Sequence, residues 1–356
     1  MSNELPPAEA SAPTPAIDMH AHSPSIVPGW LRAVGKKVLS VPTDPLSDLR
    51  PGRVDLAVIT AVGDPMGTRW RGRSAWAGVV EQLTAARTEA AAAGITVVTD
   101  PASIARPGGP AIMLGVEGAD TVGTDPQRLT DLHELGVRVL GLVHYADNGL
   151  GTIGMSAFGG RGSRAVRAGR RSAGLSPLGK EVVAQMNRLG MLIDLAHADF
   201  ATTMSTCEHS TAPVVSSHTA ASAVQDFPRF ISDTEVRAIA ATGGLIGLWP
   251  ARLGKLTLRD VDDFARHAAH LAQLVGAEHL CVGTDMNGVT GYIDGYDGPR
   301  CFPTLAPVLA TAGFDSAEVH GILGGNALRV LKAALSQENR GSMPCEPGRS
   351  VRDRQE

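Results

Sequence analysis

Five histidines and two acids carry the chemistry open to this chain: His20, His22, His144, His197, His218, Glu117 and Asp285. Each follows a short apolar run. Met191–Leu195 leads to His197, and Pro213–Val215 leads to His218. Short apolar runs bounded by helical patterns read as buried strands of a parallel sheet, and α/β folds place their chemistry just past the carboxyl ends of such strands. One histidine there is more often a satisfied core or loop residue than a ligand. Two at equivalent ends of neighbouring strands converge on one point, as metal ligands must. His20 and His22 are two residues apart, so on a regular strand they share a side and hold one ion. His197 and His218 hold a second. Glu117 has two carboxylate oxygens and can span both. Two ions about 3.5–4 Å apart activate water and clamp a polarised carbonyl or phosphoryl oxygen. Asp285 is then the natural proton acceptor. Its competing reading is a partner that orients a histidine.

The elements that must position these groups are legible as eight apolar runs, near residues 17, 58, 113, 140, 193, 214, 246 and 281. Helical patterns separate most of them: Ala75–Ala93 closed by Gly94, Pro126–Leu135, Pro177–Leu189 capped by Ser176, Ser232–Thr242 and Leu258–Val275. Ile95–Thr99 reads as an extra strand or hairpin arm, and Leu305–Leu335 as helical. Eight strands alternating with helices and closing on themselves make an α/β fold of the (β/α)8 TIM-like barrel type, with the binuclear metal site at the strand ends. A doubly wound open sheet competes, but no Gly-rich dinucleotide fingerprint follows the first strand. The bland account of the strand ends is that loops are wet. It predicts Ser, Asn, Lys and Gly there as often as His, Glu and Asp. Five of the 11 histidines fall on this one face, which favours the metal site.

Composition narrows the rest. The chain has 356 residues, 43% of them apolar, enough for a large core. Against 32 Lys and Arg stand 36 Asp and Glu, a net charge of −4. That offers no electrostatic footprint for nucleic acid or a membrane surface. No apolar run approaches the roughly 18 residues needed to cross a bilayer. Cys207, Cys281, Cys301 and Cys345 are far apart in sequence, without zinc or redox spacing. Residues 1–15 read as a flexible leader without signal-peptide character, 16–336 as one metallohydrolase domain, and 337–356 as a flexible tail. A cytoplasmic protein is expected.

These residues sit in segments that resemble the membrane (renal-type) dipeptidase family of binuclear zinc peptidases, within the amidohydrolase-like barrels. The segments are DMHAH at 18–22, GVEGAD at 115–120, LHELGVRVLGLVHYADN at 132–148, GLSPLGKEVVAQMNRLGMLIDLAHAD at 174–199, PVVSSHTAA at 213–221, PRFISD at 228–233, VGTDMNGV at 282–289 and ILGGNALRVL at 322–331. The resemblance implies two divalent ions per chain, zinc foremost, bridged by Glu117, with His20 on one ion and His197 and His218 on the other. It further implies that His144 stabilises the tetrahedral oxyanion, Arg229 grips the substrate carboxylate, and Asp285 moves the proton.

Three departures stand out. The family normally has aspartate where this chain has His22, which touches metal affinity and charge balance. It usually has asparagine where this chain has Phe230, which leaves substrate choice open. The chain is also read as lacking the signal peptide, anchor and disulfide cysteines expected of secreted members.

The resulting expectation is a metal-dependent dipeptidase that cleaves dipeptides by a metal-bridged hydroxide, with a D-residue plausible on the carboxyl side. Its partner is a small dipeptide-like substrate, and a homodimer is compatible with it. A rival is another binuclear hydrolase acting on a lactone, cyclic amide or phosphoester, since His22 restores the HxH pair of the wider superfamily. A non-enzymatic scaffold ranks last. The Arg-rich connection Tyr145–Ser176, with Arg161, Arg164, Arg167, Arg170 and Arg171, leaves the strand end that carries His144 and suggests a preference for acidic or neutral side chains.

Overall fold

The computed structural model describes residues 14–26, 43–68, 74–100, 103, 109–156, 174–253 and 257–336. Most of the expected leader and tail, and all five arginines of the 145–176 connection, lie outside those residues.

Nine strands occur among them: β1 (Ile17–Ala21), β2 (Leu56–Val62), β3 (Thr96–Val97), β4 (Ala111–Glu117), β5 (Val137–Gly141), β6 (Leu192–Asp194), β7 (Val214–Thr219), β8 (Leu245–Leu248) and β9 (Leu280–Val282). All pairings are parallel. β2 bridges β1 and β4, and β1 pairs with β9 through Asp18 and Val282. Eight strands therefore close into a barrel, as the spacing of apolar runs predicts. β3 is the short remnant of the expected Ile95–Thr99 strand. It pairs only with Ala111 and Ile112 at the start of β4, whereas β5 joins β4 from Leu114 onward.

The helices follow their end signals. α1 (Ala75–Ala92) starts at Ser74, whose side chain accepts the Ala77 N–H. α2 (Gln127–Glu134) precedes β5. α3 (Pro177–Leu189) has Ser176 as cap, Pro177 in its first turn and Gly190 at φ +66° beyond its end. α4 (Phe200–His209) is capped by Asp199, and α5 (Asp233–Ala241) by a reciprocal Ser232–Glu235 box. α6 (Val261–Val275) begins three residues later than its apolar pattern suggests, because the Asp260 side chain caps it by accepting the Asp263 N–H. The segment expected to be helical from Leu305 is divided into α7 (Leu305–Thr311), α8 (Ser316–His320) and α9 (Asn326–Leu335).

Inward-facing strand residues Ile17, Met19, Leu56, Val58, Met113, Val139, Leu192, Val215, Leu245 and Cys281 form one core cluster with Ala327, Val330, Leu331 and Ala334 of α9. Several of these strand residues are the first in their strands, so α9 closes the amino-terminal mouth of the barrel. The carboxyl-terminal mouth is left for polar groups. No helix among the described residues is long and apolar enough to cross a membrane.

One buried histidine of the scaffold sets an acid limit on stability. His267 in α6 is 1% exposed, and its Nδ1 accepts the Ala221 N–H at 3.0 Å, anchoring the connection after β7. Burial holds its pKa down from 6.5 to about 4, against a partial upward pull from Asp263. The unfolded chain therefore binds the extra proton more readily, and stability falls as pH drops from 6.5 towards 4. The full loss is about 3 kcal/mol. Melting temperature against pH, measured in chelator, should show this limb in wild type and a flatter one in His267→Asn. Superimposable profiles would contradict it.

Candidate metal centre

Seven candidate groups stand at the carboxyl mouth. His20 is in β1 with His22 just after it, Glu117 ends β4, and His144 follows β5. His197 follows β6, His218 is in β7, and Asp285 follows β9. All are buried, Asp285 most exposed at 8%. Two irregular registers help to aim them. β1 shifts against β2 between Asp18 and Ala21, and β7 shifts against β8 between Ser216 and Thr219. A bulge re-aims side chains next to a site. Here it lets Ser217 and His218, consecutive residues, both turn towards the barrel axis.

The histidines meet as the two pairs that their spacing suggests. His20 Nε2 lies 3.2 Å from His22 Nε2, and His197 Nε2 lies 3.2 Å from His218 Nε2. Glu117 stands between the pairs with one oxygen for each. Its Oε2 is 3.6 Å from both His20 Nε2 and His22 Nε2. Its Oε1 is 2.9 Å from His197 Nε2 and 3.5 Å from His218 Nε2. Asp285 reaches both pairs as well, with Oδ1 3.2 Å from His22 Nε2 and Oδ2 4.0 Å from His218 Nε2.

The donor set fits divalent ions. Thr60 O, which can only accept, lies 2.7 Å from His22 Nδ1, so that nitrogen carries the proton and Nε2 presents a lone pair. Burial, with Arg229 and neighbouring histidines adding to it, holds His197 and His218 well below the usual imidazole range, so both are neutral. Burial is the largest single influence on His20 and pulls it down, but Glu117, Asp194 and Asp285 together overcome it and raise His20 well above the usual imidazole range. Glu117 is held well below the usual carboxylate range: burial opposes this, and His144, His20 and His197 overcome it. The neutral imidazoles of His197 and His218 beside a buried carboxylate suit a positive centre. His20, His22 and Glu117 form one group close enough to hold an ion, and Glu117, His197 and His218 form another.

His144 sits beside this centre, its Nε2 3.5 Å from Glu117 Oε2. Its other nitrogen, Nδ1, lies 3.2 Å from Asp64 Oδ2, an oxygen that also accepts the Tyr145 N–H at 3.0 Å. Arg229 is buried, with one N–H donated to His218 O at 3.2 Å and its guanidinium 5.4 Å from the Trp249 ring centroid. Its Nε has no hydrogen-bond partner, and no carboxylate among the described residues pairs with it.

Several contributors escape sequence reasoning. Asp64 follows β2 as the other candidates follow their strands, and the same rule applied to that strand would have found it. Asp18 ties the ends of the barrel together, accepting the Thr284 N–H at 2.9 Å and hydroxyl at 2.5 Å. Asp194 and Ser217 lie behind the histidines. Gly288 allows a close approach: a Cβ there would lie 2.0 Å from Asp285 Oδ1 and 2.6 Å from His22 Cδ2. His197 and Asp285 adopt φ +69° and +55°, a region that side chains rarely occupy and that clusters at functional sites. Nothing in the local sequence announces it.

A closed parallel barrel of eight strands with a candidate metal centre at its carboxyl mouth makes this a (β/α)8-barrel protein. The chain belongs to the membrane dipeptidase family, peptidase family M19, whose model matches residues 16–343. An uncharacterized dipeptidase of Schizosaccharomyces pombe is 32% identical over 224 residues, 62% of this chain and 52% of that protein. The chain thus spans about half the length of the curated relatives it matches. The probable dipeptidase PvdM from Pseudomonas aeruginosa shares the fold at TM-score 0.76 and 19% identity, over 91% of this chain and 96% of that one. A Rhodobacter sphaeroides metallopeptidase liganded with a phosphinate mimic of L-Ala-D-Ala gives TM-score 0.74 and 20% identity, over 90% and 99%.

Proposed function

We propose that this protein is a dipeptidase that uses two divalent ions, zinc foremost, to hydrolyse the peptide bond of dipeptides, with L,D-dipeptides among its substrates. The observation that carries it is Glu117, one buried carboxylate with an oxygen turned to each of two histidine pairs. His20, His22 and Glu117 would hold the first ion, and Glu117, His197 and His218 the second. Bound ions supply Lewis acidity and a water acidic enough to act as a nucleophile at neutral pH.

The chain's own groups supply the rest. Asp285, within 4.0 Å of a histidine of each pair, takes a proton from the attacking water and returns it to the leaving amine. The partner of His144 is Asp64. Burial lowers His144, but Glu117 and Asp64 together raise it, and an imidazolium held at Nδ1 by Asp64 has its Nε2–H free to donate to the developing oxyanion. Arg229 is a buried guanidinium that pairs with no carboxylate among the described residues, a setting that favours an anionic ligand such as a substrate carboxylate. Family membership supports the peptide substrate, and the Rhodobacter complex supports a D-residue at the carboxyl side.

Turnover of a dipeptide panel against a panel of lactones, cyclic amides and phosphoesters tests this reading. Preferential hydrolysis of dipeptides supports it, and activity confined to the second panel refutes it. Arg229→Ala should lower kcat/KM for free-acid dipeptides by about 10–100-fold, the worth of a hydrogen bond to a charged group. Carboxyl-amidated dipeptides should already be poor substrates for wild type. Equal cleavage of amidated and free-acid forms would overturn the role of Arg229.

A further inference from the structure

Ser217 lies between the two histidine pairs. Its Oγ is 2.5 Å from Asp194 Oδ2, 2.9 Å from His218 Nδ1 and 3.3 Å from His20 Nδ1. His20 belongs to the first pair and His218 to the second, and their ring centroids are 4.0 Å apart. A hydroxyl has one proton and two lone pairs. As a carboxylate, Asp194 can only accept, so the proton points to it and both lone pairs face the imidazoles. Each ring must then donate its Nδ1–H, which leaves a lone pair on each Nε2 for the centre. We propose that Asp194 and Ser217 are positioning residues that fix the hydrogen-bond polarity of one histidine from each pair, so that a single hydroxyl couples the two ion sites. This rests on the metal-centre reading above.

The polarity of Asp194 is itself fixed. Its other oxygen, Oδ1, accepts two backbone N–H groups, from Ala196 at 3.0 Å and Ser217 at 2.9 Å. In Asp194→Asn the amide oxygen has to keep that place, because an NH2 there would face two donors. The NH2 is then turned towards Ser217 Oγ. The hydroxyl must aim its proton at one of the two histidines, and that ring must move its own proton to Nε2. One ion loses a ligand although the side chain has kept its shape. Ser217→Ala removes the relay without imposing the wrong polarity. His20, Asp194 and His218 are also close enough to hold an ion of their own, but Ser217 Oγ sits among them and its hydrogen bonds fill that role.

The test is ion content and chelator competition on the zinc-loaded full chain, for wild type, Asp194→Asn, Ser217→Ala and the double variant. Asp194→Asn should hold one of its two ions about 10–100-fold more weakly, the usual effect of losing such a partner. Ser217→Ala should lose less, and the double variant should match Ser217→Ala, so that removing the hydroxyl relieves the Asp194→Asn defect. Additive losses, an Asp194→Asn protein that binds both ions as wild type does, or a third ion in wild type would each overturn the proposal. Should Asp194→Asn fail to fold, nitrogen NMR of the zinc-loaded wild type decides: the proposal requires Nδ1–H on both His20 and His218, and a proton on either Nε2 refutes it. A wild type that binds no ion would refute the metal centre instead, which separates the two failures.

Discussion

Asp285→Asn should retain its ions and lose kcat by about 10²–10⁴, the usual contribution of a positioned acid or base. Asn keeps the size and one acceptor oxygen of Asp and also tolerates the φ of +55° found at this position. The backbone that aims the residue is therefore preserved. That backbone is held by its N–H, donated to His20 O at 2.8 Å, and by the absence of a side chain at Gly288. The substitution thus removes proton-accepting power and little else. The checks are kcat on the best dipeptide and elemental analysis of the same sample. Full activity would remove Asp285 from the proton pathway. Loss of an ion would make it a ligand, a role that its 3.2 Å approach to His22 Nε2 allows geometrically.

The second large effect concerns His22, where this chain departs from the family's aspartate. His22 Nε2 faces Glu117 and His20, and its Nδ1 is anchored on Thr60 O at 2.7 Å. His22→Ala should release the first ion preferentially, leave the second on His197 and His218, and abolish most dipeptide turnover. Neutral imidazole brings no charge to the ion, whereas aspartate brings one negative charge. His22→Asp should therefore keep both ions and resist chelation better than wild type. It should also melt lower when stripped of metal, because aspartate cannot donate to the buried Thr60 carbonyl, and an unmet acceptor costs about 1–3 kcal/mol. Chelator competition and melting of the apo forms read these two effects separately. If His22→Ala keeps two ions and full activity, His22 is no ligand.

Much of this site was legible because a parallel barrel converts a one-dimensional pattern into a place. A polar residue just past an apolar run lies on the carboxyl mouth whichever strand it follows, so His20, Glu117, His144, His197, His218 and Asp285 were recognisable without knowing how the strands are ordered. The pairing of His20 with His22 was expected from a regular strand. The strand is in fact irregular between Asp18 and Ala21, and the two rings meet all the same.

What the sequence withheld depends on contacts across the barrel. The bond between Asp18 and Thr284 joins the first strand to the residues after the last, and no local pattern marks it. Ser217 is an ordinary strand serine until the bulge turns it inward beside His218. Asp64 matters through its 3.2 Å approach to His144 Nδ1, which only the adjacency of β2 and β4 and of β4 and β5 creates.

Elemental analysis of the purified, zinc-loaded chain tests the account most directly. Glu117 offers one oxygen to each histidine pair, so the account predicts two ions per chain, and one ion or fewer after full loading would contradict it.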